Sequence, residues 1–198
     1  LGSTLAVSTT LGSLLDSHTK VCPITSETAK SALALACQST LNALSDKAAE
    51  LDVEPRDLAS TLILVVASQN FCAAAQIGDG AVVVTDDNEN LIALTTPING
   101  EFANQTALLG CMQTMDVQIG SLPEYRPKSI AVFTDGLQRL ALRMPQGIPH
   151  EPFFRPLFKR FHDLPESEME NFLKEFLNSP RVNTLTDDDK TLVTAHVL

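Results

Sequence analysis

Basic residues are scarce in this sequence. Lys and Arg total 14 against 24 Asp and Glu, a formal charge of −10. No basic run offsets the excess, so the surface repels nucleic-acid phosphates, which excludes a nucleic-acid-binding class. The four cysteines, Cys22, Cys37, Cys72 and Cys111, are widely spaced and form no CxxC pair. Cys37 and Cys72 lie among alanines and other apolar residues, the setting of buried, reduced thiols, so a reducing compartment and hence the cytoplasm is expected. No apolar stretch reaches transmembrane length without a polar break, and no charged segment followed by an apolar one opens the chain, so no membrane partner is expected. Leu1 is not an initiator methionine, as in a trimmed or incomplete chain. Internal repeats and low-complexity tails are absent. So is a Ser-His-Asp or Cys-His signature, which argues against a protein nucleophile. His150, His162 and His196 fit no metal-ligand spacing, and His18 reads as a lone loop histidine.

What is present suits one globular domain over residues 1–198, with 44% apolar and 19% charged residues. A short strand is expected within residues 1–15, and 16–23 read as a loop. A helix with Ser26 as N-cap is expected to run to Leu51. Pro55 closes the following loop, and 56–60 leads into a strand. Strands follow at 61–67, Phe71–Ile77, Ala81–Thr85 and Leu91–Thr95, with connections short enough for antiparallel hairpins. The acidic run 86–90 is expected to be a polar hairpin turn rather than a metal loop. Further strands are expected at 115–119, Ser129–Phe133 and 190–198, with helical spacing at 136–143, 152–161 and Glu166–Leu177, and loops at 145–149 and 178–187. Phe153, Phe154, Phe158, Phe161, Phe172 and Phe176 read as core anchors. The order of elements favours an α+β layered domain with antiparallel sheets over a doubly wound parallel one.

Three acidic stations carry the chemistry: Gly78-Asp79-Gly80, Thr134-Asp135-Gly136 and Asp187-Asp188-Asp189-Lys190-Thr191. The first two follow apolar, strand-like runs and the third precedes one. A carboxylate beside glycine at a strand end sits at a sheet rim. Three of them converging would form a hard-oxygen site for Mg²⁺ or Mn²⁺. Two such ions held about 3.5–4 Å apart activate a shared water and neutralise phosphate oxygens, which points to phosphate-ester hydrolysis.

The blocks Ala59-Ser60-Thr61-Leu62, Ala75-Gln76-Ile77-Gly78-Asp79-Gly80-Ala81-Val82-Val83, Val132-Phe133-Thr134-Asp135-Gly136-Leu137 and Asp188-Asp189-Lys190-Thr191-Leu192-Val193 resemble, in order and spacing, the type 2C protein phosphatases, more narrowly their compact bacterial branch. The resemblance runs from about Ser26 to the C-terminus. It implies a four-layer αββα sandwich of two antiparallel sheets flanked by helices. It also implies a metal-dependent serine/threonine phosphatase acting on phosphorylated proteins, with two ions and room for a third. By resemblance, Asp135 and Asp188 would ligate core metal and Asp79, with Asp135, a third and weaker ion. Asp189 stands where the family has asparagine and would support the loop, and Thr191 would begin the strand. The segment 100–125 falls where the family carries a variable flap.

The family's two N-terminal acidic motifs, a Glu-Asp or Gln-Asp pair and an Asp-Gly-rich block, are not visible. Gly12, His18 and Cys22 faintly resemble the segment before the first of them. The interval from Cys22 to Ser26 is too short to hold both. Either sequence is missing there, the favoured reading because a natural deletion would remove a core strand, or the chain lacks those ligands and would be a pseudophosphatase binding a phosphoprotein or regulatory partner. Asp16 reads as a solvated loop residue, not a substitute ligand. The family's phosphate-binding arginine has no clear counterpart; Arg56, Arg126 and Arg139 stand in unmatched contexts.

Overall fold

In this computed structural model, residues 1–20, 24–97, 108–109, 117–123 and 126–197 are described. Two helices open the chain, α1 (Gly2–Lys20) and α2 (Ser26–Leu51). Helix α1 stands where a strand and loop are expected. Its Ser/Thr-rich composition disguises a stripe at helical spacing: Gly2, Ala6 and Thr10 face inward, four residues apart. These small residues let α1 lie close to its neighbours. A Cβ on Gly2 would stand 2.0 Å from the Leu58 carbonyl oxygen. The Thr10 and Thr40 hydroxyls meet at 2.7 Å in the α1–α2 interface, one donating to the other while the acceptor donates to a carbonyl of its own helix; Ala6 O and Ala36 O lie 2.7 and 2.8 Å from the two hydroxyls. Tertiary packing therefore overrides weak helix propensity. The N-cap of α2 is Thr25, not Ser26: Thr25 and Thr28 each accept the other's backbone N–H with their hydroxyls, a reciprocal capping box.

Strands β1 (Leu62–Ser68), β2 (Phe71–Ile77) and β5 (Gln118–Pro123) form one antiparallel sheet in the order β1-β2-β5. Strands β3 (Ala81–Thr85), β4 (Leu91–Thr95), β6 (Ser129–Phe133) and β9 (Leu192–His196) form the other, in the order β4-β3-β6-β9. The strand expected at 115–119 is β5, shifted toward the C-terminus; residues 115 and 116 and most of the 100–125 flap segment lie outside the described residues. Between β6 and β9 come a 3-10 turn (Asp135–Leu137) and α3 (Gln138–Ala141), then a two-residue ladder of β7 (Leu142–Arg143), where the helical spacing of 136–143 is expected to continue, with β8 (Ile148–Pro149), inside the expected loop. Helices α4 (Glu151–Asp163), α5 (Glu166–Leu177) and the single turn α6 (Pro180–Asn183) complete the chain. Helix α6 is a correction to the expected loop, capped where Val182 N–H reaches the Ser179 hydroxyl.

Alternation along the strands builds three apolar layers. Phe71, Ala73, Ala75 and Ile77 of β2 pack toward Leu33, Cys37 and Leu44 of α2. Cys72 and Ala74 of β2 meet Val82 and Val84 of β3 and Ile130 of β6 between the sheets. Ala81, Val83, Ala131 and Phe133 face Phe153, Phe154, Leu157 and Phe158 of α4. The result is the expected αββα sandwich. Strands β2 and β3 are buried on both faces, which is why they read as apolar runs, broken only by Gln76 and Thr85, rather than as alternation. The phenylalanines are core anchors as expected, with Phe153 and Phe154 edge-to-face at 5.0 Å. A fully buried Phe or Leu contributes roughly 1.5–3 kcal/mol.

One connection differs in kind from its expectation. Gly78-Asp79-Gly80 is not a hairpin turn: β2 belongs to one sheet and β3 to the other, so this tripeptide carries the chain between sheets. The crossover explains its glycines. Gly78 has φ +114°, outside the range of L side chains, and a Cβ on Gly80 would stand 2.5 Å from Phe133 O. The 86–90 turn, by contrast, is the polar hairpin expected. Asp86 Oδ1 accepts the N–H groups of Asn88 and Asn90 at 2.8 Å each, and Oδ2 accepts the Asn90 amide at 2.9 Å. Burial alone pushes the Asp86 carboxyl up, but the bonds from Asn90 and Asn88 and the Lys128 charge outweigh it and hold the group below its ordinary range.

Candidate functional site

The register of the second sheet brings the three acidic stations to one end. Ala81 pairs with Phe133, and Phe133 pairs with Leu192, so these residues form a row across β3, β6 and β9. Asp79 lies two residues before Ala81, Asp135 two residues after Phe133 and Asp188 four residues before Leu192. All three therefore emerge at the same rim. Asp135 feels both other carboxylates: partial desolvation raises its pKa most, then the Asp79 charge, then Asp188, against a 2.9 Å bond from Gly136 N–H that favours the charged form.

Local interactions fix each station. Thr134 N–H donates to Thr191 O at 3.2 Å, and Thr191 N–H donates to the Thr134 hydroxyl at 3.1 Å, clamping the ends of β6 and β9 together. A Cβ on Gly136 would stand 2.2 Å from Asp189 O and 3.5 Å from Asp188 Cβ, so only glycine lets the 187–189 loop close onto the Asp135 turn. Asp188 Oδ1 accepts the N–H of Asp189 at 2.8 Å. Asp189 touches the site through its backbone, in keeping with the supporting role expected of it. The Gln138 amide, at the start of α3, donates to Asp79 O.

Gln76 is the residue sequence reasoning overlooked. It is buried in β2, and its Nε2 donates to Gly78 O at 3.0 Å, Gly80 O at 2.7 Å and Thr96 O at 3.3 Å. Its Oε1 accepts from the Thr95 hydroxyl at 2.6 Å, and that hydroxyl accepts Val82 N–H. One side chain thus satisfies the carbonyls of the crossover that carries Asp79. The available signal was a lone amide in an otherwise apolar strand, directly before Gly-Asp-Gly.

The other candidates fall elsewhere. His150 Nδ1 lies 3.2 Å from Leu140 O, and His196 Nδ1 lies 3.4 Å from Ser129 Oγ at the opposite end of β6. The side chains of His18 and His162 lie outside the described residues. Asp16 is on α1, not in a loop. Arg126 precedes β6 at the end remote from Asp135, and Arg56 is on the 3-10 turn Pro55–Leu58. Of the three arginines, Arg139 is the one beside the acidic end, next to Gln138 in α3.

The donor set suits a hard divalent cation: carboxylate oxygens whose mutual repulsion would be relieved by positive charge. Among the described residues, no three His, Cys, Asp or Glu side chains already stand close enough to cage an ion.

A family model described as Protein phosphatase 2C matches residues 1–178. Serine/threonine-protein phosphatase 3 of Escherichia coli (strain K12) is 40% identical over 147 residues, which are 71% of this chain and 56% of that protein. The chain thus spans little more than half the length of this curated relative. The catalytic domain of the phosphatase PstP, solved with two manganese ions, superposes with a TM-score of 0.60 at 18% identity, covering 98% of this chain and 78% of that one. Stp1 of Staphylococcus aureus gives 0.60 at 13% identity over 88% and 70%. A C. elegans sex determining protein gives 0.67 at 14% identity over 98% and 52%. These structural likenesses show a shared fold.

Proposed function

This chain belongs to the protein phosphatase 2C family, and from that premise we propose that it acts as a metal-dependent protein serine/threonine phosphatase. The observation that supports the reading is that three carboxylates, remote in sequence, emerge at the same end of the sheet, where Asp135 feels the charges of the other two. Asp79, Asp135 and Asp188 would hold Mg²⁺ or Mn²⁺. The bound metal would supply Lewis-acid activation of water and neutralisation of phosphate oxygens. The chain's own residues orient the ligands: Gly136 N–H holds one Asp135 oxygen, the Thr134–Thr191 clamp sets the spacing of β6 and β9, and Gln76 holds the Asp79 crossover. The substrate class is phosphoserine and phosphothreonine in proteins, the class named for the E. coli relative.

Residues 1–198 are read as one phosphatase-like domain. The interval from Cys22 to Ser26 is too short for the two further acidic motifs of the family, and missing sequence there is the reading proposed. Bacterial cytoplasm is the compartment proposed. No helix among the described residues is long and apolar enough to cross a membrane. Burial pushes the free thiols of Cys37 up to about 11 and of Cys72 up to about 12, which leaves them inert and suits a reducing setting.

A catalytically silent, phosphoprotein-binding role has one observation in its favour, the lack of a preformed cage among the described residues. Hydrolysis of p-nitrophenyl phosphate separates the two. Manganese-dependent turnover abolished by Asp135→Asn supports the enzyme. No turnover from folded full-length protein supports the silent reading.

A further inference from the structure

A cavity of about 330 Å³ opens between α3, α4, α5 and α6. Its walls are largely apolar, formed by side chains such as Phe153, Leu157 and Phe176. Three arginines, Arg139, Arg160 and Arg181, line it from exposed positions. Arg160 lies over the Phe172 ring at 5.8 Å, which orients its guanidinium along the wall. Among the described side chains, the salt bridges are 27–30, 47–50, 151–155 and 170–174, and none engages these arginines. In a chain of net charge −10, three cations gathered around one apolar cavity run against the overall composition.

We propose that this cavity is a second binding site, one that takes an amphipathic anion with an apolar tail and a single carboxylate head. The apolar walls favour burial of a hydrocarbon body, and the volume lies at the lower end of that usual for small-ligand pockets. Guanidinium groups receive a carboxylate through paired N–H donors, whereas a neutral or cationic head leaves their charge uncompensated. The site does not depend on the phosphatase reading. It shares α3 with the carboxylate end, where Gln138 contacts Asp79 one residue before Arg139.

Calorimetric titration of the full chain with decanoate, decan-1-ol and decylammonium tests the proposal. Decanoate is expected to bind one per chain, and the other two about tenfold or more weakly. The double variant R160A/R181A, its fold checked by circular dichroism, is expected to lose about tenfold in decanoate affinity, with R160K/R181K recovering part of it. Leu185→Trp, at a half-exposed lining position, fills the cavity and is expected to weaken binding without altering charge. Absence of decanoate binding, equal binding of the alcohol, or an affinity unchanged in both R160A/R181A and Leu185→Trp would overturn the proposal. No phosphatase readout enters the experiment.

Discussion

Replacing Gln76 with Leu removes a side chain that ties the inter-sheet crossover to β2. The substitution keeps the volume roughly constant and leaves Gly78 O and Gly80 O without their donors at 3.0 and 2.7 Å, while the Thr95 hydroxyl loses its acceptor at 2.6 Å. All lie in the buried interior. Each buried polar group left unpaired costs about 1–3 kcal/mol. The added apolar surface of Leu returns part of that, about 1–2 kcal/mol. A net destabilisation of about 3 kcal/mol is expected, a large share of the roughly 5–15 kcal/mol typical of a domain. With a urea slope of about 2 kcal/mol/M, the unfolding midpoint should fall by about 1.5 M. Gln76→Glu retains an acceptor for Thr95 but presents a carboxyl to the two carbonyls, so it should be worst above the carboxyl's pKa and partly recover in acid, where a protonated oxygen donates once. A loss below about 1 kcal/mol for Gln76→Leu would refute the claim that this amide holds the crossover.

Gly136→Ala should destabilise by about 2 kcal/mol or more, because the new Cβ collides with Asp189 backbone rather than with a flexible side chain; chemical denaturation checks this, and a neutral result contradicts the packing described. Asp135→Asn should stabilise the metal-free protein at pH 7. The folded carboxyl titrates above its unfolded value, so the folded state binds the proton more tightly, and stability is lost as pH rises through that window. The gain should stay below about 1 kcal/mol because Asp135 is exposed to solvent and screened, and should vanish below the unfolded pKa; midpoints measured across pH 3–7 (about the window a carboxylate spans) decide it. Asp86→Ala should cost about 2 kcal/mol at neutral pH by freeing the Asn88 and Asn90 N–H groups. Its depressed pKa places that contribution above the unfolded value, and it is lost as pH falls through the folded one.

Much of the sandwich is legible in the sequence because burial on two faces leaves a plain mark. Phe71–Ile77, Ala81–Thr85 and Ser129–Phe133 are apolar but for Gln76, Thr85 and Ser129, and the structure makes each a strand with side chains in two different layers. The acidic stations are legible for a related reason, since a carboxylate directly flanking such a run, beside glycine at Asp79 and Asp135, has few places to go but the sheet rim. Helix α1 is hidden because its inward face is built from Gly2, Ala6 and Thr10, where small size, not hydrophobicity, is the packing requirement. The crossover at Gly78-Asp79-Gly80 is hidden because its length equals that of a hairpin turn, and only the pairing of β3 with β6 separates the two. The cavity arginines, and the Thr95 and Thr96 half of the Gln76 network, depend on partners distant in sequence, which spacing along the chain does not encode.

The central claim, that Asp79, Asp135 and Asp188 act together on a divalent cation, is tested most directly by calorimetric titration of Mn²⁺ into the protein and its single Asp→Asn variants. The account predicts binding that weakens by about tenfold or more in each of the three, and changes little in Asp189→Asn, whose closest role here is through its backbone. Affinity for Mn²⁺ that is indifferent to all three substitutions would contradict it.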